Sequence, residues 1–283
     1  MSIAFEKVEH MYNNDTPFSY HALKGVDLAI TKGSFTAIIG QTGSGKSTLI
    51  QHINALLLPT SGKVTIDDYV ITATDKPKKL KPLRKKAGLV FQFPEYQLFE
   101  ETIKKDIIFG PLNFGVSYEE AKSLAAKALH QVGLDTSYLE RTPFDLSGGQ
   151  KRRVAIAGIL AMEPDILILD EPTAGLDPHG TKEMMALFKS IQKLGKTVII
   201  VTHDMNHVLQ YCEEVIVMNH GKVEKKDTVS NIFKDQQYLN TLGIDLPIIT
   251  NFILALNDNG FNIDSSINTY ERLIKAIGGE LHG

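Results

Sequence analysis

The residues whose types and spacing can do chemistry begin with the stretch GQTGSGKST. It matches the pattern G-x-x-x-x-G-K-[ST], in which glycines let the backbone curl so that consecutive N–H groups face a phosphate chain. In this pattern the lysine reaches the β- and γ-phosphates, and the following hydroxyl can bind Mg²⁺. The stretch therefore predicts a site for ATP or GTP, formed by Gly40, Gln41, Thr42, Gly43, Ser44, Gly45, Lys46, Ser47 and Thr48.

Polar residues at the ends of three apolar runs can supply the rest of a hydrolytic site. Asp170 and Glu171 follow the run ILIL, His203 ends TVIIVTH, and Gln92 ends VFQ. We expect Asp170 to hold Mg²⁺ through its water shell, and Glu171 to orient or deprotonate the attacking water. His203 is expected to contact the γ-phosphate, since open α/β sheets bind ligands at the carboxyl ends of strands. The catalytic candidates are thus Glu171, His203 and Gln92, and the metal candidates are Ser47, Gln92 and Asp170.

A second glycine-rich turn, LSGGQ, comprises Leu146, Ser147, Gly148, Gly149 and Gln150 and precedes a stretch with helical spacing. Free backbone N–H groups and the helix dipole favour an anion at a helix N-terminus, so this turn also predicts a phosphate contact. One chain therefore carries two phosphate-binding turns, which raises the question of whose phosphate the second one holds.

The runs FTAIIG, DILILD and TVIIVTH, which precede these polar residues, read as buried strands of a parallel sheet. Helical stretches lie between them, and strands that alternate with helices predict an α/β fold. Between Gln92 and about Ala161 the pattern is mostly helical, which predicts a helical subdomain inserted into the core. After Thr228 the pattern changes again and predicts a small unit with two helices.

The bulk composition excludes some function classes. The chain has 283 residues, 43% of them hydrophobic and 22% charged, with a net charge of −3. Such a balance argues against a dedicated nucleic-acid binder. Cys212 is the single cysteine, so no disulfide can form within the chain, which suits a reducing cytoplasm. No apolar run in the sequence approaches the length that crosses a bilayer.

The basic run Lys76–Lys86 contains two prolines, which disfavour a regular helix. We expect a solvated loop there, with a contact to phospholipid or to an acidic partner as the alternative.

Taken in order, the motifs GQTGSGKST, VFQ, LSGGQKRR, ILILDEPTAGLDP and VTHD resemble the nucleotide-binding subunit of ABC transporters. The resemblance implies a P-loop NTPase core, with a parallel RecA-like sheet and a β-rich N-terminal part, an inserted helical subdomain at about 92–161, and a small helical C-terminal extension. It divides the chain into a nucleotide-binding domain at 1–228 and a dimerisation extension at 229–283. Tyr12 then resembles the aromatic that stacks on adenine, and Asp177 the residue that communicates between opposed sites. Ser147–Gly149 resemble the signature that contacts the γ-phosphate held by the opposite subunit.

A narrower resemblance concerns FQFPEYQLFEETIKKDIIFGPLNFG, RRVAIAGILAMEP and the helical tail. These are similar to the ATPases of energy-coupling factor (ECF) transporters, and most similar to the second of their two ATPase subunits. The resemblance implies a prokaryotic importer of vitamins or other micronutrients, with this chain peripheral on the cytoplasmic face of the membrane. Its implied partners are a related ATPase, a transmembrane coupling protein and a substrate-binding membrane subunit, without nucleic acid. The residues implied to receive the coupling protein are Phe93, Pro94, Glu95, Tyr96 and Phe99.

Two alternatives remain open at this stage. One is a cobalt/nickel-type ABC importer ATPase that pairs with itself. The other is a non-transport ABC ATPase, although such proteins commonly carry two cassettes or a long coiled-coil insertion, and this sequence has neither.

Overall fold

Two β-sheets form the framework of the computed structural model, which describes residues 3–14, 16–75 and 80–282. The first sheet is antiparallel, with strands β1 (Ile3–Tyr12), β2 (Tyr20–Ile30), β4 (Ser61–Ile66) and β5 (Tyr69–Thr72) in the order β2-β1-β4-β5. The second comprises β3 (Phe35–Ile39), β6 (Ala87–Val90), β7 (Ile166–Asp170), β8 (Thr197–Val201), β9 (Glu214–Asn219) and β10 (Lys222–Thr228). Its order is β10-β9-β3-β8-β7-β6, and all neighbours are parallel except β9 and β10.

Eleven helices fall within the described residues. They are α1 (Lys46–Ile53), α2 (Lys81–Lys86), α3 (Ile103–Asn113), α4 (Tyr118–Gln131), α5 (Gly148–Leu160), α6 (Pro178–Lys193), α7 (Met205–Tyr211), α8 (Val229–Lys234), α9 (Gln236–Thr241), α10 (Ile248–Asp258) and α11 (Tyr270–His282). None of these helices is long and apolar enough to cross a membrane.

Both faces of the second sheet are buried, because successive side chains of a strand point to opposite faces. In β3, Ile38 packs into a core between the two sheets, together with α1. Its neighbours Ala37 and Ile39 pack into a larger core on the other face, where helices of the insertion and α6 cover the sheet. The α/β fold class predicted from the sequence is confirmed.

The strand register brings the polar strand ends together. Asp170 of β7 is paired with Val201 of β8, and Ile38 of β3 is paired with the same Val201. Because the three strands are parallel, the residues that follow them meet at one edge of the sheet. The first phosphate-binding turn, the acidic pair and His203 therefore lie at the same edge.

Between β6 and β7 the chain folds into α3, α4 and α5, which pack on one another. The N-terminus of α4 is capped by Ser117, whose hydroxyl accepts from the N–H of Glu120. This segment is the counterpart of the helical insertion expected at about 92–161.

Two local expectations were wrong. Residues 76–79 of the basic run lie outside the described residues, but Lys81–Lys86 form α2 instead of a loop. Pro82 is tolerated because it lies in the first turn, where its missing N–H has no partner to lose. Leu83 is buried on the same helix, which anchors it to the core.

The second error is an omission: the two helices expected after Thr228 are present as α10 and α11, but α8 and α9 precede them and were not expected. Helices α8 and α9 are each six residues long, too short for a periodic pattern to stand out. Side chains from Val229 to Leu246 pack into the larger core, whereas α10 and α11 form a cluster of their own. The division into 1–228 and 229–283 stays a prediction.

Beneath the first phosphate-binding turn, α1 carries a buried histidine. His52 Nδ1 lies 2.7 Å from the carbonyl oxygen of Thr48, and its Nε2 is buried without a hydrogen-bond partner in the described part of the chain. The ring of His10 packs edge-on against it, with 4.9 Å between the centroids. Burial lowers the pKa of His52 to about 4. The uncharged His52 ring therefore packs α1 against His10 of β1.

We predict that His52 makes the fold sensitive to mild acid. The unfolded chain binds a proton near pH 6.5 and the folded chain only near pH 4, so stability is complete above pH 6.5 and falls as the pH drops between these values. At pH 5.5 the free energy of unfolding is lower by about 1 kcal/mol than above pH 6.5. Urea unfolding at pH 7.5 and 5.5 should show a smaller pH effect in His52→Gln than in wild type. An equal pH effect in both proteins would contradict this origin.

Candidate nucleotide-binding and hydrolysis site

The first phosphate-binding turn needs glycine at two places where other parts of the chain approach its backbone. Gly40 has φ +145°, and a Cβ there would overlap the carbonyl oxygen of Met218. Gly45 has φ +101°, and a Cβ there would lie 2.7 Å from the carbonyl oxygen of Ala22. The turn is therefore packed between β9 and β2, and any side chain at these two positions would displace it.

Within the turn, Lys46 turns its ammonium group back over the loop. Its Nζ donates hydrogen bonds to the carbonyl oxygens of Gly40 and Gln41, at 2.7 and 2.8 Å. Burial lowers the pKa of Lys46, and the nearby charges of Glu171 and Asp170 oppose that shift. The cation is thus held where α1 begins, so the helix N-terminus and the ammonium group both favour an anion at the same point.

Asp170 and Ser47 provide the chemistry of a divalent cation site. Asp170 is buried, and desolvation raises its pKa, while a hydrogen bond from Ser47 and the charge of Lys46 act in the opposite direction. A desolvated carboxylate beside a hydroxyl fits Mg²⁺, which keeps part of its water shell and needs few protein ligands. The described residues contain no cluster of three or more His, Cys, Asp or Glu that could hold a metal ion.

Glu171 and His203 form a contact at the end of the sheet. His203 Nδ1 lies 3.0 Å from Glu171 Oε1, and the N–H of Glu171 donates to the carbonyl oxygen of Val201 at 3.0 Å. Glu171 has φ +47°, a conformation that costs a non-glycine residue about 1–3 kcal/mol and persists where the surroundings impose it. Its side chain is 15% exposed, whereas that of His203 is 82% exposed. The carboxylate therefore faces the cleft with one oriented partner, as a general base requires.

These groups surround a cleft of about 260 Å³. Its lining residues are Tyr20, Ala22, Thr42, Gly43, Gly45, Lys46, Ser47, Thr48, Gln92, Asp170, Glu171 and Val201. The structure thus brings together the lysine, the hydroxyl, the two carboxylates and the glutamine that were singled out from the sequence, and His203 joins them through Glu171.

Two tyrosines lie near the cleft in different positions. The hydroxyl of Tyr12 lies 3.2 Å from Thr48 Oγ1, on α1, and Tyr12 is not among the lining residues. Tyr20 does line the cleft, and its hydroxyl donates to the carbonyl oxygen of Gly43 at 3.1 Å. Tyr20 was not predicted from the sequence as a site residue. Its one signal there was an aromatic ring close to Tyr12 in the chain. An adenine contact by Tyr12 stays a prediction.

The second glycine-rich turn lies apart from this cleft. Ser147 caps α5, with its hydroxyl accepting from the N–H of Gln150 and its own N–H donating to Gln150 Oε1 at 3.0 Å. Leu146 is buried and anchors the turn, whereas a Cβ added at Gly148 would meet nothing within 4 Å. The turn is well formed and open on its outer side.

Asp177 lies close to that turn. Its Oδ1 accepts from the N–H of Gly180 at 2.8 Å and so caps α6. A Cβ added at Gly149 would contact the side chain of Leu176 at 3.5 Å, so the loop before α6 packs next to the second turn.

The five residues from Phe93 to Phe99 named in the sequence differ in exposure. Pro94 is buried, and Glu95 forms a two-point ion pair with Arg152, at 2.9 and 3.1 Å. Phe93, Tyr96 and Phe99 are exposed, and Phe99 packs edge-on against Phe109. A groove of about 320 Å³ begins there, lined by Gln97, Leu98, Phe99, Asp106, Phe109, Gly110, Val154, Ala155, Gly158, Ile159 and Met162.

The sequence was also compared with known proteins. Residues 23–174 match the family described as ABC transporter. An "Energy-coupling factor transporter ATP-binding protein EcfA2" from Bacillus cereus is 53% identical over 279 residues, which cover 98% of this chain and 95% of that protein. A protein of the same name from Lactococcus lactis is 52% identical and covers 96% of this chain and 92% of its own length.

Solved structures agree with the fold. CbiO1 from Clostridium perfringens, described as part of the ABC transporter complex CbiONQ, has a TM-score of 0.72 and 40% identity, covering 89% of this chain and 98% of that one. The ATP-binding cassette MJ0796, in a dimeric post-hydrolysis state bound to ADP and Pi, has a TM-score of 0.71 and 35% identity, covering 80% of this chain and 98% of that one.

We predict that Glu171→Gln keeps nucleotide affinity and lowers ATP turnover by about 100-fold or more, because the amide cannot accept the proton of the attacking water. A fluorescent ATP analogue measures binding, and phosphate release measures turnover. The matched control is Glu119→Gln, the same change at an exposed position of α4, which should leave both unchanged. Full turnover in Glu171→Gln would remove Glu171 from the role of base.

Proposed function

The chain belongs to the ABC transporter family as an ATP-binding, ATP-hydrolysing subunit, and on that premise we propose that it powers an ECF-type importer of vitamins or other micronutrients. The observation that carries the proposal is the site itself. Lys46, Ser47, Gln92, Asp170 and Glu171, the residues expected to act on ATP, line one cleft, while a second, open glycine-rich turn lies outside it. The similarity to EcfA2 proteins over nearly the whole chain supports the ECF assignment.

In the proposed cycle each residue acts on ATP in a distinct way. Backbone N–H groups of Gly40–Thr48 bind the phosphates, and Lys46 neutralises charge on the β- and γ-phosphates. Glu171 orients the attacking water and accepts its proton, and His203 fixes that carboxylate and contacts the γ-phosphate. Ser47, Asp170 and Gln92 would hold Mg²⁺, which when bound neutralises the negative charge that develops on the phosphates.

The second turn supports a two-subunit arrangement. Because Ser147–Gly149 are absent from the lining of this chain's own cleft, they are available to an ATP molecule bound by another subunit. The loop with Leu176 and Asp177 packs beside the turn and would contact the same subunit. We therefore propose that the chain pairs head to tail with a related ATPase, so that each subunit completes the other's site.

We predict that Ser147→Arg spares ATP binding by the isolated chain and lowers hydrolysis in the assembled pair, because the added cation blocks the opposite site. Binding of a fluorescent ATP analogue and phosphate release by the pair measure the two effects. Ser123→Arg, on the exposed side of α4, is the matched control. Loss of the cap costs about 1 kcal/mol, so thermal unfolding should accompany both measurements. Normal hydrolysis by the assembled Ser147→Arg pair would contradict the shared site.

The groove beside Phe99 is the proposed contact with the membrane. It lies between α3 and α5, is partly apolar, and is lined by two exposed aromatic residues, Phe99 and Phe109, while Phe93 and Tyr96 are exposed on the segment that precedes it. A contiguous exposed apolar surface of this kind marks an interaction site. We propose that a short helix of a transmembrane coupling protein enters this groove, and that a substrate-binding membrane subunit completes the importer. The chain would then lie on the cytoplasmic face of the membrane.

The C-terminal helices offer a further contact for the second ATPase. Ile248 and Phe252 on α10, with Tyr270 and Ile274 on α11, are apolar and exposed. In a heterodimer these side chains would be covered by the partner, which keeps the two ATPases together while their nucleotide sites open.

We predict that Gly158→Trp prevents binding of the membrane subunits but not binding of the second ATPase. Gly158 lines the groove, and a Cβ there would meet no atom closer than 3.9 Å, so the helix accepts a side chain that fills the groove. Affinity purification from native membranes with mass spectrometry should recover a second ATPase and membrane subunits with wild type. Gly158→Trp should keep the ATPase and lose the membrane subunits, while Lys122→Trp on α4 keeps both.

The same purification decides among the alternatives. Recovery of one ATPase species only would favour the self-pairing cobalt/nickel type. Recovery of no membrane subunit with wild type would contradict the importer.

A further inference from the structure

The helices that follow β10 are hydrogen-bonded to the catalytic edge of the sheet. The amide oxygen of Asn206 accepts from the N–H of Ile248 at 2.9 Å, where α10 begins. The N-cap of α10 is Pro247, which has no side-chain group that could accept this bond. An N-cap side chain normally satisfies a free N–H at this end of a helix. Here Asn206, from α7, does so from another element.

Asn206 is three residues from His203, in a tightly hydrogen-bonded segment. Asp204 caps α7, with its Oδ1 accepting from the N–H groups of Asn206 and His207 at 2.8 and 3.2 Å. The N–H of Asp204 donates to Thr202 Oγ1 at 3.1 Å. These bonds couple the first turn of α7 to Thr202 and Asp204, the residues on either side of His203.

The position of α7 depends on its neighbours. A helix of seven residues is too short to be stable by itself, so tertiary contacts must fix it. Met205 and Val208 bury one side of it in the larger core. Leu209 contacts both that core and the C-terminal cluster, which is formed by Ile249, Ile253, Ile263 and Leu273.

On the side of Glu171 and His203, a cavity of about 660 Å³ separates this edge from the chain near Tyr270. His203 lines this cavity, while the Asn206 bond and Leu209 link α7 to α10 and to the C-terminal cluster. The chain between α9 and α10 also approaches Gln41 of the first phosphate-binding turn. Gly243 has φ +60°, and a Cβ there would lie 2.5 Å from Gln41 Nε2.

We propose that Asn206 is a positioning residue for ATP hydrolysis, which holds His203 against Glu171 through its hydrogen bond to the N–H of Ile248. The C-terminal helices thereby support the catalytic site of their own chain, in addition to any contact with a second ATPase. The inference rests on the proposed function, in which His203 contacts the γ-phosphate.

The test uses the full-length chain in its assembled ATPase complex. Asn206→Ala should lower kcat about three- to tenfold, the range that one hydrogen bond supports, with ATP affinity unchanged. Asn206→Asp keeps an acceptor at the helix N-terminus and should restore kcat. In a His203→Ala background, Asn206→Ala should have no further effect on the residual turnover, since both changes remove the same function. An equal loss of kcat in both backgrounds would overturn the proposal.

A second pair of variants removes the donor instead of the acceptor. Ile248 is the first residue of α10, where proline is tolerated, and Pro247 before it is already extended at ψ 143°. Ile248→Pro should lower kcat relative to Ile248→Ala, which loses the side chain but keeps the N–H. Combining Ile248→Pro with Asn206→Ala should be no worse than either alone.

The experiment distinguishes failure of the positioning role of Asn206 from failure of the proposed function. If wild-type complex hydrolyses ATP and Asn206→Ala has normal kcat, the positioning role is wrong while the proposed function stands. If wild-type complex does not hydrolyse ATP, the proposed function itself fails.

Discussion

The hydrogen-bonded ladder that joins β3, β8 and β7 is the interaction on which the catalytic site depends. It sets Asp170 opposite Val201, and one residue later the N–H of Glu171 bonds to the carbonyl oxygen of Val201. A shift of one residue would move each side chain of a strand from one core to the other, because side chains alternate along a strand. The fully buried β7 and β8 make such a shift costly, since apolar side chains from both cores would have to move. The sheet thereby places Asp170 and Glu171 near the charge of Lys46, and Glu171 in contact with His203.

A feature of the structure could be predicted from the sequence when the residues that produce it are close together in the chain. The phosphate-binding turn was predictable because its glycines, lysine and hydroxyl are consecutive, and the parallel strands because β7 and β8 are short runs of apolar residues. The helix α2 was missed because Pro82 is harmful inside a helix but harmless in its first turn. Helices α8 and α9 are too short to show a period. Tyr20 and Asn206 owe their positions to contacts with Gly43 and Ile248, which are distant in the chain.

The two glycine-rich turns have similar local chemistry but different surroundings in the fold. The turn at Gly40–Ser47 is closed in by β2 and β9, so its ligand lies inside the molecule's own cleft. The turn at Ser147 is equally well capped, yet its outer side is open. The sequence pattern predicts an anion contact at both turns, and the surroundings distinguish them, since one lines an enclosed cleft and the other is open.

The pairing of Glu95 with Arg152 has a consequence for how movement is transmitted. Arg152 is 3% exposed on α5, and separating it from Glu95 would leave a buried charge, which costs about 3–5 kcal/mol. The segment that borders the groove is thus fastened to α5, whose groove residues Val154 and Ile159 lie seven and twelve residues from Ser147, about 10 and 18 Å along the helix. A tilt of about 10° at one end of such a rod moves the other end by about 3 Å, the length of one hydrogen bond. A displacement at the groove can therefore shift the Ser147 turn by about the same distance without any local unfolding between them.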